Sequence, residues 1–125
     1  MRQPLRLLLF LILLGVVGCA STQPAPTVDI SGKWVGTWVS TNQPAGGSGQ
    51  IEMNVVQTGS KYTGNLLLTG GFNDPSGLTE GFVTGNQVEI TVPAGATGRL
   101  TVTGDDMTGQ IAGMSGAIVK LRRQR

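Results

Sequence analysis

The stretch Gly32-Lys33-Trp34-Val35-Gly36-Thr37-Trp38 carries both tryptophans of the chain and stands where a series of glycine-punctuated strands begins. Side chains alternate between the two faces of a β-strand, so Trp34, Gly36 and Trp38 share one face. Gly36 either leaves room for another backbone or side chain to approach, or marks a bulge where the strand bends. We expect this first strand to close one end of a β-barrel.

Apolar residues continue to alternate with polar ones from Asp29 onward, which predicts seven further strands. The alternating groups are Ile51, Met53 and Val55; Tyr62, Leu66 and Leu68; Leu78 and Phe82; Val88, Ile90 and Val92; Leu100 and Val102; Met107 and Ile111; and Ala117, Val119 and Leu121. The intervening segments Thr58-Gly59-Ser60, Gly85-Asn86, Gly104-Asp105 and Gly113-Met114-Ser115 suit antiparallel hairpins, because Gly, Asn and Asp tolerate positive φ.

Short strands that follow one another in sequence leave a costly exposed edge unless the sheet curls shut. We therefore predict an all-β fold: an eight-stranded antiparallel up-and-down barrel over residues 29–125, with a flattened sandwich of the same strands as the alternative. A Thr-Gly-Asn/Asp/Gln echo recurs at Thr63, Thr84, Thr103 and Thr108 with uneven spacing, which indicates recurrent turn and bend chemistry and not a solenoid repeat.

Residues 1–18 have the organisation of an export signal: Arg2 and Arg6 precede an apolar run from Leu7 to Val17, expected to be helical. The run is shorter than the roughly 20 apolar residues of a membrane span. Nine Lys and Arg residues stand against seven Asp and Glu in the whole chain, so removal of the two signal arginines leaves a neutral protein. A neutral domain does not suit nucleic-acid binding.

Val16-Val17-Gly18-Cys19 ends this run and resembles the lipobox of bacterial lipoproteins. The resemblance implies cleavage before Cys19 and acylation of that cysteine, palmitate included, and Ala20 in the next position implies outer-membrane sorting. The alternative is an unmodified thiol. Residues 19–28 then form the lipidated cysteine and a flexible polar, proline-bearing tether. The implied localisation is the cell envelope, anchored to the outer membrane and facing the periplasm.

Gly32-Lys33-Trp34 resembles the Gly-x-Trp opening of the first barrel strand in lipocalins, and avidin-like barrels have a similar Trp-bearing first strand. The resemblance implies a calycin-like barrel in which an arginine of the last strand, Arg122 or Arg123, covers Trp34. The chain is shorter than a lipocalin and lacks the usual helix after the strands, which argues against a large ligand cavity.

In a sequential barrel the longer connections at 40–49, 70–77, 93–97 and 113–115 gather at one mouth, while both chain termini lie at the opposite end. The tether and the basic C-terminal residues therefore face the membrane. We expect either contact with anionic headgroups or simple solvation of these four side chains: Lys120, Arg122, Arg123 and Arg125.

Two sets of candidate binding residues follow. Phe72, with its neighbours Asn73 and Asp74, either contacts a partner at the mouth or folds onto the barrel rim. If the barrel is hollow, the expected ligand-lining residues are Trp34, Trp38, Tyr62, Glu80 and Phe82. An inward Glu80 needs a partner such as Arg99 or Tyr62, or a wet cavity; otherwise a bulge at Gly81 turns it outward.

The sequence contains no histidine and one cysteine, and it shows no spaced set of metal ligands. We therefore expect no enzyme activity, no cofactor and no metal. Two functions remain: a non-catalytic binding or structural role through the mouth loops of a filled barrel, which resembles small bacterial protease-inhibitor barrels, or carriage of a small apolar ligand. Eight-stranded barrels can be filled by side chains, which favours the first function.

Overall fold

Strands form where the sequence alternates apolar and polar residues, and glycine-containing turns separate them. The structure is a computed structural model that describes residues 24–41, 47–70, 76–93, 95–112 and 116–125. Its strands are β1 (Gly32–Ser40), β2 (Ser48–Thr58), β3 (Lys61–Thr69), β4 (Gly77–Thr84), β5 (Gln87–Thr91), β6 (Thr97–Thr103), β7 (Asp106–Ile111) and β8 (Ala117–Arg123).

Each strand pairs antiparallel with the next, and β1 also pairs with β8, so the sheet closes into a barrel. The eight-stranded antiparallel barrel predicted from the sequence is confirmed. The tight turns at 59–60, 85–86 and 104–105 share one end, which we name the closed end. The β1–β2, β3–β4, β5–β6 and β7–β8 connections share the other end, the mouth.

The barrel interior is filled by apolar side chains from every strand, from Ile30 before β1 and from Val92 after β5. Each of them is at most 4% exposed: Ile30, Trp34, Trp38, Ile51, Met53, Val55, Tyr62, Leu66, Leu68, Val83, Val88, Ile90, Val92, Leu100, Val102, Met107, Ile111, Ala117, Val119 and Leu121. Burial of a large apolar side chain stabilises the fold by about 1.5 to 3 kcal/mol. This core holds the domain together without a disulfide.

Glycines that face the interior let neighbouring strands approach more closely than a side chain would allow. A Cβ at Gly36 would overlap the carbonyl oxygen of Lys120 on β8, which confirms the close-approach interpretation of this residue. Gly64 and Gly109 have the same relationship to carbonyls of the adjacent strands. Two members of the Thr-Gly echo are thus in-strand bends, whereas Gly85 and Gly104 have positive φ in turns. Such glycines allow a small barrel to curve.

The predicted inward face of β4 is wrong. Thr79 and Val83 are buried, whereas Leu78 and Phe82 are 64% and 47% exposed. Gly81 faces inward beside Tyr62, and a Cβ there would lie 3.0 Å from the Tyr62 ring. A Cβ at Gly81 would also overlap the carbonyl oxygen of Glu89 on β5, so the neighbouring backbone and the Tyr62 ring together exclude a side chain at this inward position. The inward face of β4 therefore consists of Thr79, Gly81 and Val83, and the alternate residues turn outward.

Glu80 is exposed as well, so the inward interpretation of this carboxylate is also wrong. The sequence predicts that a bulge at Gly81 would accompany an outward Glu80. Instead, β3 and β4 pair without interruption from Lys61↔Phe82 to Leu66↔Gly77, and Glu80 points outward as an ordinary consequence of this register.

Candidate functional site

The closed end is organised around Trp34, which is fully buried. Its Nε1 donates a hydrogen bond of 2.9 Å to the carbonyl oxygen of Ile30. The guanidinium of Arg123, at the end of β8, lies 4.4 Å from the centre of the indole ring. Arg123 also donates to the carbonyl oxygens of Ser31 at 3.0 Å and Asp29 at 2.7 Å. The expected arginine over Trp34 is thus Arg123 and not Arg122.

Residues 24–31, which we name the strap, lie across the closed end and bend at Thr27 and Val28. The Thr27 amide donates to the Gly85 carbonyl at 2.9 Å, and the Gly85 amide donates to the Ala25 carbonyl at 3.2 Å. Gln57 fastens the strap from β2: its side-chain oxygen accepts from the Ile30 amide at 2.9 Å, and its Nε2 donates to the Val28 carbonyl at 3.1 Å. The sequence analysis missed Gln57, because an amide at a strand end has no distinctive pattern.

Charges surround the strap at the same end. Asp105 pairs with Arg123 at 3.4 Å and with Arg125 at 2.7 Å. The hydrogen bond from Arg125 lowers the pKa of Asp105, and the positive charges nearby lower it further. Asp29 accepts the Ser31 amide at 2.9 Å, and this bond lowers the pKa of Asp29. Two of the four predicted headgroup-binding residues, Arg123 and Arg125, are therefore engaged within the protein, while Lys120 and Arg122 are exposed.

Three of the predicted ligand-lining residues lie in the interior: Trp34, Trp38 and Tyr62 are 0%, 4% and 1% exposed. A cavity that admits water would leave accessible surface on the side chains that line it. Because the inward side chains have almost none, they pack against one another, and the described part of the barrel interior is filled. Trp38 also donates from Nε1 to the Thr69 carbonyl at 3.0 Å near the mouth.

Tyr62 brings a hydroxyl group into the barrel interior, where the polar residue Thr79 is also fully buried. Its hydroxyl donates to the carbonyl oxygen of Glu89 at 3.1 Å and lies 3.4 Å from the Thr79 hydroxyl. Thr79 in turn donates to the Thr91 carbonyl at 2.8 Å. These hydrogen bonds link β3 and β4 to β5. The β4–β5 ladder itself comprises the pairs Val83↔Val88 and Thr84↔Gln87. Burial raises the pKa of Tyr62.

Outside the barrel, a groove crosses β5 between β4 and β6. Its cavity has a volume of about 530 Å³ and is lined by Phe82, Thr84, Gln87, Glu89 and Arg99. Glu89 also lines two neighbouring cavities, of about 550 and 280 Å³, on either side of it. Phe82, predicted to line the interior, is instead a wall of this outer groove.

The remaining predicted site residues are Cys19, Phe72, Asn73 and Asp74, and they lie outside the described residues. Within the described ranges, no group of three or more His, Cys, Asp or Glu side chains is placed to hold a metal ion. No helix in the same ranges has the length and hydropathy that a membrane span requires.

Comparisons of the chain with family models, with curated proteins and with solved structures find no match. Function is therefore inferred from the geometry of this barrel and from the motifs of its sequence.

Proposed function

We propose that the chain is a lipid-anchored envelope protein with a non-catalytic binding or structural role, exerted through the loops at the mouth of its barrel. The observation that supports this proposal is the attachment of the strap to the closed end. Ala25 and Thr27 are hydrogen-bonded to Gly85 at the closed end. An acyl anchor on Cys19, in the lipobox-like stretch, would therefore hold the closed end near the outer membrane. The mouth then faces the periplasm, where a partner can reach it.

The residues at the mouth support binding to a protein. Asp74 is the only charged residue in the four segments 39–49, 68–78, 90–98 and 110–118, which comprise the mouth loops and the adjoining strand ends. Large apolar side chains on the outer surface of the mouth half are exposed as well: Val39 46%, Leu67 47%, Leu78 64% and Ile118 40%. Protein interfaces are depleted in charge at their centres, and clustered exposed apolar residues are typical of them.

A calycin-like barrel is part of the proposal. The Gly32-Lys33-Trp34 opening and Arg123 over Trp34 support it. The filled interior does not favour the alternative role as a carrier of a small apolar ligand. It suits a barrel that acts as a rigid platform for its loops, and a role like that of the small bacterial protease-inhibitor barrels is the alternative within this class.

Contact with anionic headgroups is proposed for the outward basic residues Lys120 and Arg122. Arg123 and Arg125 add less, since both are paired with Asp105. Each cation near a charged surface contributes about 1 kcal/mol. Replacing Lys120 and Arg122 by Gln in the chain with Cys19→Ala should therefore weaken sedimentation with anionic vesicles, and unchanged sedimentation would contradict this part.

Two linked experiments test the main proposal. First, cells grown with labelled palmitate should label the wild-type chain and leave the Cys19→Ala variant unlabelled. Second, a photo-crosslinking residue at Leu78 or Ile118 in the mouth half should yield a discrete protein adduct in cells. The matched control is Val56, which is 65% exposed and lies near the closed end. Equal adducts from Val56, or the absence of acylation, would contradict the proposal.

A further inference from the structure

We propose that the outer groove over β5 is a binding site for a small zwitterion, an α-amino acid with an apolar side chain. Nothing in the envelope role requires this site, which lies on the side of the barrel and not at the mouth. Three side chains carry the inference: Glu89, Arg99 and Phe82.

Glu89 and Arg99 are direct cross-strand partners on β5 and β6, and both are exposed on the outer face. Opposite charges in this arrangement usually attract each other across the strands. Among the ion pairs and side-chain hydrogen bonds of the described residues, however, the Glu89 carboxylate and the Arg99 guanidinium take part in none. They flank the cavity of about 530 Å³ as a separated carboxylate and guanidinium.

Phe82 supplies an apolar wall beside these charges. Its ring is 47% exposed. Lys61 approaches the ring from β3, with Nζ 5.8 Å from the ring centre, while the cavity lies toward β5 and β6. An apolar side chain in the groove would therefore pack against Phe82 without displacing Lys61.

The floor of the groove is held in place from both sides of the barrel wall. From the interior, the Tyr62 hydroxyl binds the carbonyl oxygen of Glu89 at 3.1 Å. On the outer face, Gln87 donates from Nε2 to the Thr101 hydroxyl at 3.1 Å. The backbone that carries Glu89 is thereby fixed relative to β3 and β6. The backbone of the groove is therefore preformed, and binding orders only the three side chains that contact the ligand.

The complementarity is with the two charges of an amino acid at neutral pH. Its ammonium group donates hydrogen bonds to Glu89, and its carboxylate accepts two from the guanidinium of Arg99, which suits bidentate binding of carboxylates. Its side chain lies on Phe82. One carbon atom separates the two charged groups of the ligand, a short span that suits directly opposed residues on adjacent strands, whose Cβ atoms are roughly 5 Å apart.

The test is a titration of the full chain, ¹⁵N-labelled in detergent micelles, with phenylalanine and with leucine. Such a small ligand in an open groove should bind with a dissociation constant of roughly a millimolar, so about 20 mM should approach saturation. We expect shifts centred on the amides of β5 and β6. N-acetylphenylalanine lacks the ammonium group and phenylalaninamide lacks the carboxylate, so each should bind roughly tenfold more weakly.

Variants locate the site. Glu89→Gln and Arg99→Gln should each weaken binding roughly tenfold, whereas Arg122→Gln, which removes an exposed guanidinium from β8, should not. The dispersion of the remaining amide signals shows whether each variant is folded. The proposal is overturned if neither amino acid shifts the β5 and β6 amides. It is equally overturned if the acetylated and amidated forms bind as well as phenylalanine, since the groove would then be a site for uncharged peptide-like groups, or if the control variant loses binding equally.

Discussion

Arg123 stacks over Trp34, its guanidinium 4.4 Å from the ring centre, and ties the last strand of the barrel to the first strand and the strap. The same side chain satisfies the carbonyl oxygens of Ser31 and Asp29. Arg123 thus connects the end of β8 with Trp34 on β1 and with the strap that precedes β1. The contact is local in space but links residues from opposite ends of the domain.

Arg123→Ala should destabilise the barrel by about 2 to 3 kcal/mol. The loss comprises about 1 kcal/mol from the cation–π contact and a similar amount from each hydrogen bond to a carbonyl. Arg122→Ala is the matched control, because Arg122 is the exposed neighbour on the same strand, and it should change stability by less than about 0.5 kcal/mol. Urea unfolding followed by circular dichroism measures both. Equal losses in the two variants would mean that the stacking of Arg123 contributes nothing specific.

Sequence and structure agree where a residue pattern determines the geometry by itself. The alternation of apolar residues predicts β1, β2 and β8 with their inward faces, and the order of strands predicts which loops share an end. The arginine over Trp34 follows from family resemblance. The predicted strands and their inward faces depend on period-two patterning, which a closed sheet preserves.

The pattern failed on β4, because Leu78 and Phe82 on one face are larger apolar side chains than Val83 on the other. The deciding contacts come from the neighbouring strands: a Cβ at Gly81 would overlap the Glu89 carbonyl oxygen on β5 and would lie against the Tyr62 ring on β3. Alternation within one strand carries no information about its neighbour's side chains. The outer groove over β5 was not predicted for the same reason, because its lining residues lie on three different strands. The pairing of Glu89 with Arg99 could have been found by counting back from the β5–β6 connection.

Gly36→Ala should destabilise the barrel severely, by about 3 kcal/mol or more, because the new Cβ would overlap the Lys120 carbonyl and force β8 away from β1. Thr37→Ala changes the adjacent, exposed position of the same strand and should cost less than about 1 kcal/mol. Thermal unfolding compares the two variants. A Gly36→Ala protein as stable as Thr37→Ala would show that β1 and β8 do not need this close approach.

Alkaline pH should destabilise the folded chain through Tyr62. Burial raises the pKa of this hydroxyl above its ordinary value of 10.0. As the pH rises past 10.0, the unfolded chain releases the proton while the folded chain retains it, so the free energy of unfolding falls. Tyr62→Phe should lack this contribution, so its stability should fall less steeply in the same range.

The Tyr62→Phe variant should also be less stable at neutral pH, by about 1 to 2 kcal/mol, because the Glu89 carbonyl loses its hydrogen bond from the hydroxyl. Urea unfolding at pH 7 and at several values above 10 separates the two effects. Parallel pH curves for wild type and variant would contradict the role assigned to the buried hydroxyl.

Acid should weaken the closed end through Asp105. The hydrogen bond from Arg125 lowers the pKa of this carboxyl below its ordinary value of 3.8. Its stabilising contribution is therefore complete well above pH 3.8 and is lost as the pH falls from that value through the lower pKa of the folded state. Asp105→Asn should remove this part of the acid dependence, while Asp106→Asn, at the next position, should retain it. Because the pair is exposed, about 0.5 M salt should flatten the wild-type curve as well. A wild-type curve that matches Asp105→Asn throughout acid pH would show that the Arg125 contact does not persist in solution.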